Sequence, residues 1–368
     1  LSSPTYRVIL NEVGASFGVG PTICEFRDPW NVGWAKYLND VPEAFWTVSQ
    51  DDPALDVLQR NRIGIAHATV LRDDRAVWRG FTGELEGTER DVVMYAYGYA
   101  AHLYWAVAPW NMTWANATIG TIASDLWDRA KGVADSPLGW VTTGTIEAPV
   151  TTSGGSTALA LPSYKLYYKR ILHSLKELVA VATSDTTNVC YFEIAHSATP
   201  TTHTNTFNLW KDRSDLSSVV LKYGHNVMSF GDRYAPILTR NHLIGVGSGA
   251  HNLLYRKNVS QAGGSHGYTL FGRRHEPIYF SWTRDEQDLE RVVKLRLAKA
   301  LRADTDLSLR LVPGALDPST LRLGDRFPVH VQRGITRIDK EMLMVGIQVI
   351  ANRGAEVVYP IMLDRSGS

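Results

Sequence analysis

Hydrophobic alternation of period two at both ends of this 368-residue chain, turn residues between the alternating runs, and a compositionally different middle predict a mainly β protein with α insertions. The α+β expectation is specific: two antiparallel β-barrel-like domains at residues 1–105 and 201–368, with a mixed helical and loop insertion at 106–200. The length agrees, since about 150 residues per domain gives two to three.

Within 1–105, Tyr6, Val8 and Leu10 alternate, then Ile63 and Ile65, then Val93, Tyr95 and Tyr97. Turn material separates these runs at Asn11, Gly18 to Gly20, Asp51-Asp52-Pro53, Asp73-Asp74 and Gly83. Pro53 after two aspartates suits the first position of a short helix over 54–59, with Leu55 and Leu58 facing inward. Trp78, followed by Gly80 and Phe81, reads as a strand whose aromatic covers a core and whose glycine allows a bulge or close backbone approach.

In the insertion, Ile122, Leu126 and Trp127 fall at helical spacing over 119–131, behind Thr118 or Thr121 as cap. A second helical run covers 172–181. Thr142 to Thr157, rich in Thr, Gly and Ser, reads as a loop or flexible edge, 189–194 as a strand, and the Thr-dense 197–206 as an exposed loop or polar strand edge.

The last third contains one strong helix, over 284–302. Thr283-x-x-Glu286 is a capping-box pattern, acidic residues gather at its start, and Lys294, Arg296, Lys299 and Arg302 lie towards its end, as the helix dipole favours. Leu289, Val293, Leu297, Ala300 and Leu301 form one stripe, and burying it contributes roughly 1.5–3 kcal/mol per large side chain. Beyond it, Leu307/Leu309/Leu311, Phe327/Val329/Val331, Leu343/Val345/Ile347/Val349 and Val357/Tyr359/Ile361/Leu363 alternate between turn residues, which predicts a β-meander.

Lys and Arg number 38 against 37 Asp and Glu, so no long-range field recruits nucleic acid or anionic lipid to the whole molecule. Two cysteines, Cys24 and Cys190, exclude a disulfide-dense scaffold and a cysteine-based zinc site, and leave one bridge or two free thiols open. The N-terminal residues lack the apolar run of a signal peptide, and the most apolar stretch, Tyr95 to Trp110, is too short to span a membrane, so a soluble protein is expected.

Several constellations bear on chemistry. Gly245-Val-Gly-Ser-Gly-Ala250 has the glycine content of a dinucleotide turn, but no βαβ period surrounds it, and a glycine-rich bend between strands is the better reading. Glu84 and Glu86, two apart on a strand, share a face as a glycosidase pair could, and as solvated strand carboxylates commonly do. His196, His203, His225, His242 and His251 recur without tight metal-ligand spacing and read as scattered loop histidines, so no metal or cofactor is assigned. Asn111, Asn116 and Asn258 head glycosylation sequons, which matter only in a eukaryotic secretory context. Of eleven Trp residues, Trp30, Trp34, Trp46, Trp105, Trp110 and Trp114 crowd the first third, where core and subunit interface are preferred over a sugar-stacking platform.

Five runs then come in a fixed order: Trp34 to Val48, Asp51 to Leu55, Ile63 to Val70, Arg75-Ala-Val-Trp-Arg-Gly80, and Val93 to Leu103. This order of β elements around a Trp-x-Gly strand resembles the N-terminal barrel of baseplate-hub or tail-tip minor tail proteins of long-tailed bacteriophages. Asn241 to Gly249, Arg284-Asp285 opening a helix, and Leu321-Arg-Leu-Gly-Asp325 before a strand are similar to the C-terminal part of that family. About half the chain is covered, and Trp105 to Trp140 matches no part of the pattern.

The resemblance implies a structural virion protein, not an enzyme. It implies barrel domains with a helical insertion, and a homotrimeric, pseudo-sixfold ring that joins the tail tube to the tip. Implied partners are a distal tail protein or tail-tube ring, the tape-measure protein and tail-tip fibre or spike proteins, with DNA passing through the channel unbound. The implied location is the virion tail tip, assembled in the bacterial cytoplasm. A lumen without a basic stripe is expected, since each phosphate contact by Lys or Arg adds affinity for DNA. Trp34, Phe45, Trp46, Trp78 and Tyr99 are the interface candidates, each with a core role as the alternative. The rival class is a glycan-binding or glycan-hydrolysing β protein acting on cell-wall or capsule polymers, with Trp rings stacking on sugars and Glu84 and Glu86 or the histidine region doing the chemistry.

Overall fold

The structure is a computed structural model and describes residues 4–14, 17–61, 65–108, 112–132, 136, 138–147, 160–166, 168–184, 190–199, 203–210, 215–233, 242–247, 256–260, 275–279, 289–290, 293, 297, 306–352 and 355–363.

The protein is mainly β. The first strands are β1 (Tyr6–Val13), β2 (Val19–Phe26), β3 (Trp30–Tyr37) and β4 (Glu43–Ser49), followed by α1 (Pro53–Asn61). The Asp52 carboxylate accepts the Ala54 N–H at 2.9 Å and so caps α1, which buries Leu55 in the core. Then come β5 (His67–Arg72), β6 (Arg75–Gly87) and β7 (Asp91–Gly98). Asp73 and Asp74 both take positive φ between β5 and β6, the geometry of a type I′ hairpin. On β7 the buried set is Val92, Met94 and Ala96, so the alternating Val93, Tyr95 and Tyr97 lie on the outer face.

The middle of the chain adds α2 (Ala101–Trp105), β8 (Met112–Thr118), α3 (Ile119–Gly132), β9 (Thr142–Ile146), β10 (Ala160–Leu166), α4 (Ile171–Ser184), β11 (Tyr191–His196) and β12 (Asn205–Trp210). Thr118 is the cap of α3, its hydroxyl accepting the Thr121 N–H at 3.1 Å. The stretch expected as a loop or flexible edge from Thr142 begins as β9, an edge strand that lies parallel to β12 and shares its hydrogen bonds; residues 148–157 lie outside the described residues. Part of the Thr-dense 197–206 is likewise the start of β12.

The remaining strands are β13 (Leu221–Lys222), β14 (Val227–Arg233), β15 (His242–Val246), β16 (Arg256–Ser260), β17 (His275–Tyr279), β18 (Asp306–Leu311), β19 (Arg326–Arg333), β20 (Thr336–Asn352) and β21 (Ala355–Leu363). Of the helix expected over 284–302, the described residues Leu289, Glu290, Val293 and Leu297 are helical, and its three apolar members are buried.

Thirteen strands form one sheet in the order β14-β18-β21-β20-β3-β4-β7-β6-β5-β1-β2, with β19 paired to β20 and β13 to β19. No closed barrel is seen among the described residues. The 17 residues of β20 pair with β19 through Thr336–Leu343 and with β3 through Gly346–Ala351. One strand therefore stitches the C-terminal meander to the N-terminal strands, and their apolar faces share one core that includes Trp34, Trp46, Trp78, Phe327 and Val349. A second core holds α2 to α4, β8 to β12, Leu243 of β15 and the 289–297 helical residues. Trp127 stacks on Phe207 there at 4.3 Å between ring centres.

Candidate functional site

The two cores meet at a cleft of about 500 Å³. Trp34 of β3 and Trp78 of β6, both buried in the main core, line it. Lys36 lies two residues beyond Trp34 on the same strand face, and its ammonium stands 5.5 Å over the indole. Arg79 follows Trp78, is almost fully buried, and donates to the Thr199 carbonyl at 2.6 Å. The opposite wall is β11, with Glu193, Ile194 and His196.

The electrostatics follow from enclosure. Burial brings the Lys36 ammonium down to about 8, with Glu193 opposing. Burial, and then the charges of Lys36 and Arg79, hold the His196 imidazole well below its ordinary value, so it is neutral at physiological pH. The cleft walls thus carry Lys36 and Arg79 with a single inner carboxylate, Glu193, which accepts from the Trp210 indole at 3.0 Å. At the rim, Asp40 is engaged by Lys176 at 2.7 Å.

Beside the cleft, His67, Phe81, Tyr99, His102 and Trp140 form a continuous ring cluster linking β5 and β6 to α2 and the insertion. His67 is fixed by the Tyr99 hydroxyl at 3.2 Å and the Phe17 carbonyl at 3.0 Å, whereas His102 is buried against Phe81 and Trp105. Burial lowers both imidazoles to about 4.

The candidates from sequence are placed as follows. Trp34, Trp46, Trp78 and Tyr99 are buried, and Phe45 is half-buried with its ring lying over Gly33 of the adjacent strand. Glu84 and Glu86 flank exposed Leu85 on the outer end of β6, and the Tyr95 hydroxyl reaches Glu86 at 3.5 Å; neither carboxylate lines the cleft. His196 enters the cleft, His242 is buried on β15, His203 and His225 are elsewhere, and His251 lies outside the described residues. Among the described residues, no three His, Cys, Asp or Glu side chains converge as metal ligands. Cys24 and Cys190 are separate free thiols, which burial raises to about 11 and about 12. No helix of the described residues is long and apolar enough to cross a membrane.

Gly245 serves packing. A β-carbon there would lie 2.2 Å from Val293 Cγ2, so glycine lets the helical residues approach β15 closely; the rest of the glycine run, from residue 248, lies outside the described residues. Sequence reasoning missed Lys36, Arg79, His67 and His102. The available signal was a charged or imidazole side chain inside an otherwise apolar strand or helix turn, Trp34-Ala-Lys36 and Trp78-Arg79-Gly80 being the clearest cases.

The fold of this chain, a 13-stranded sheet with a helical insertion between its N- and C-terminal strands, is similar to that of solved phage tail proteins. It is similar over 98% of its length to 97% of the tail protein from Neisseria meningitidis, with a TM-score of 0.63 and 14% identity. A 43 kDa prophage tail protein from Shewanella oneidensis gives a TM-score of 0.61 at 12% identity, covering 98% of each chain. A component of the type VI secretion system of E. coli gives 0.50 at 11% identity, covering 93% of this chain and 75% of that one. No protein-family model matches the sequence, and no curated protein matches it.

Proposed function

We propose that this chain is a structural protein of a phage tail tip or baseplate hub. The observation that carries the reading is likeness of fold to tail proteins across nearly the whole of both chains. In this reading three copies form a ring between the tail tube and the tip. The parts at 1–105 and 201–368 supply the barrel-like ring domains, and 106–200 is the insertion. The partners are a distal tail protein or tube ring, the tape-measure protein and tip fibres or spikes, and DNA crosses the lumen unbound. The protein acts in the virion, after assembly in the bacterial cytoplasm, and performs no catalysis.

Ring contacts need apolar area still open to water. Of the five aromatic candidates, Phe45 retains the most. A larger exposed set lies at Tyr104, Trp105 and Val107 beside Tyr168, brought together by the Val107–Arg170 bridge, and Ile335 stands fully exposed at the β19–β20 turn.

Negative-stain imaging of the purified chain at high concentration, paired with native mass, tests the reading. The expected result is a particle of three copies with a central hole. A chain that stays monomeric alone and with purified tail-tube protein, and that hydrolyses cell-wall or capsule polymers, would overturn it in favour of the glycan-active class.

A further inference from the structure

The cleft lies between β3, β6 and β11. On β11 the alternation of hydrogen bonds is set by its pairing with β12: the Ser197 N–H reaches the Thr204 carbonyl, while the Phe192 N–H turns away to Asn39 Oδ1 at 2.8 Å. Even-numbered residues of β11 therefore direct their main-chain groups away from β12. The outer edge is tied at one end by Phe192 to Asn39 and at the other by the Ala198 carbonyl, which accepts the Ala76 N–H at 2.9 Å. Between these ties the N–H and C=O of Ile194 face the cleft. They form a short open strand edge inside a pocket, protected from the edge-to-edge pairing that an exposed edge invites.

Charge adds a second, independent feature. Lys36 stands over the Trp34 ring in the cleft, makes no side-chain hydrogen bond among the described residues, and has Glu193 as the carboxylate whose charge acts on it. Both Lys36 and Arg79 lie near enough to His196 to disfavour its protonation. Arg75 and Arg322 also line the cleft, Arg322 lying 4.0 Å from Asp215. Cationic walls beside two indoles favour a carboxylate carried on an apolar, extended body.

We propose that this cleft is a docking site for an extended acidic segment of another polypeptide, which adds a strand to the Ile194 edge and places an Asp or Glu carboxylate on Lys36. About 500 Å³ is within the range of sites that enclose a small ligand, which for a peptide means a few residues. Main-chain bonds to Ile194 supply affinity that is blind to sequence, and the carboxylate at Lys36 with apolar neighbours over Trp34 and Trp78 supplies selection. The site does not depend on the ring reading: it is a property of one copy.

The test is calorimetric titration of the full chain with the capped pentapeptide Ac-Thr-Val-Asp-Val-Thr-NH2, its Asn analogue, and sodium succinate. Binding of the Asp peptide at least tenfold tighter than either of the others is expected. Lys36→Met is expected to remove that preference and Lys36→Arg to keep most of it. Ile194→Pro deletes the outward N–H while leaving the β11–β12 ladder intact, and is expected to weaken both peptides alike. Equal binding of the Asp and Asn peptides, no binding of either, or succinate binding as tightly as the Asp peptide would overturn the proposal, the last by assigning the cleft to small carboxylates. So would unchanged binding in Ile194→Pro with native circular dichroism.

Discussion

Removing Glu356 tests how much one buried ion pair adds to the strand pairing and shared core that join the two ends of the chain. Glu356 lies on β21 with its side chain 5% exposed, and Arg72 on β5 is 15% exposed. Arg72 donates from Nε at 2.7 Å and from Nη2 at 3.0 Å to the two carboxylate oxygens, and the Tyr6 hydroxyl donates to Oε2. Burial, then Glu356, raises the Tyr6 hydroxyl; burial works against the Arg72 charge, but Glu356 outweighs it and holds that group above its ordinary value. Taking two charges out of water costs several kcal/mol per ion, so deleting one leaves the other uncompensated, at about 3–5 kcal/mol. Asp317 at 3.2 Å and Asp73 at 3.4 Å from Arg72 are about half exposed and soften the loss, so Glu356→Ala should fall near the low end, about 3 kcal/mol. Glu356→Gln keeps the shape and an acceptor for Tyr6, and should cost about 2 kcal/mol. In urea unfolding followed by Trp fluorescence, with a slope of about 3 kcal/mol/M, the midpoints fall by about 1 M and about 0.7 M. A Glu356→Ala midpoint within about 0.2 M of the parent, or a coupling to Arg72→Met below about 0.5 kcal/mol, would refute the clamp.

Three further outcomes are expected. His67 and His102 are held near 4 when folded against about 6.5 when unfolded, so the unfolded chain binds more protons, and stability is whole above pH 6.5 and lost as pH falls towards 4. The loss is up to about 2 kcal/mol per ring at pH 5; His102→Phe should flatten the profile, and equal urea midpoints at pH 7.5 and pH 5 would contradict this. Gly245→Ala forces the Val293 helix off β15 and should cost about 1–3 kcal/mol, partly restored by Val293→Ala; an unchanged Tm would show that the contact relaxes freely. Trp105→Ser, at a side chain 62% exposed, should leave unfolding of the single copy within about 0.5 kcal/mol and lower the yield of rings by native mass; an unaltered yield removes this patch from the assembly contact.

The sequence was most legible where one physical rule acts alone. Pro53 behind Asp52, Thr118 ahead of a 3.6-period stripe, and the turn residues around the C-terminal strands specify local structure through caps and backbone geometry, and α1, α3 and the meander stand where those signals put them. Signals that needed a partner strand were less legible. The alternation of Val93, Tyr95 and Tyr97 located β7 but not its buried face, because a period-two pattern of aromatics against Val, Met and Ala fits either side until the neighbouring strands are known. β9 is polar throughout and owes its form to β12, far away in sequence. Two barrel-like domains were expected because the strand spacing suits them, yet how the strands join depends on which of them meet, and pairing of β20 with β3 is a contact across more than 300 residues that composition does not encode. The Glu84 and Glu86 pair was readable as two carboxylates on one strand; that the strand end projects from the core was not.

The aromatic content carries the last step. A chain with eleven Trp residues invites an interface reading, but hydrophobic area stabilises an assembly only if association is what removes it from water. Trp46, Trp78 and Trp127 have already lost theirs inside a single copy, where they fill the two cores that hold the insertion against the large sheet. If copies join, the energy would come from the smaller exposed set around Trp105, Tyr168 and Ile335 together with main-chain groups of β2 and β14, which end the main strand path among the described residues. If contacts of that kind hold the ring, its stability should depend more on main-chain pairing than on any one aromatic, and Pro substitutions at outward N–H positions of β2 should abolish rings that single aromatic deletions only weaken.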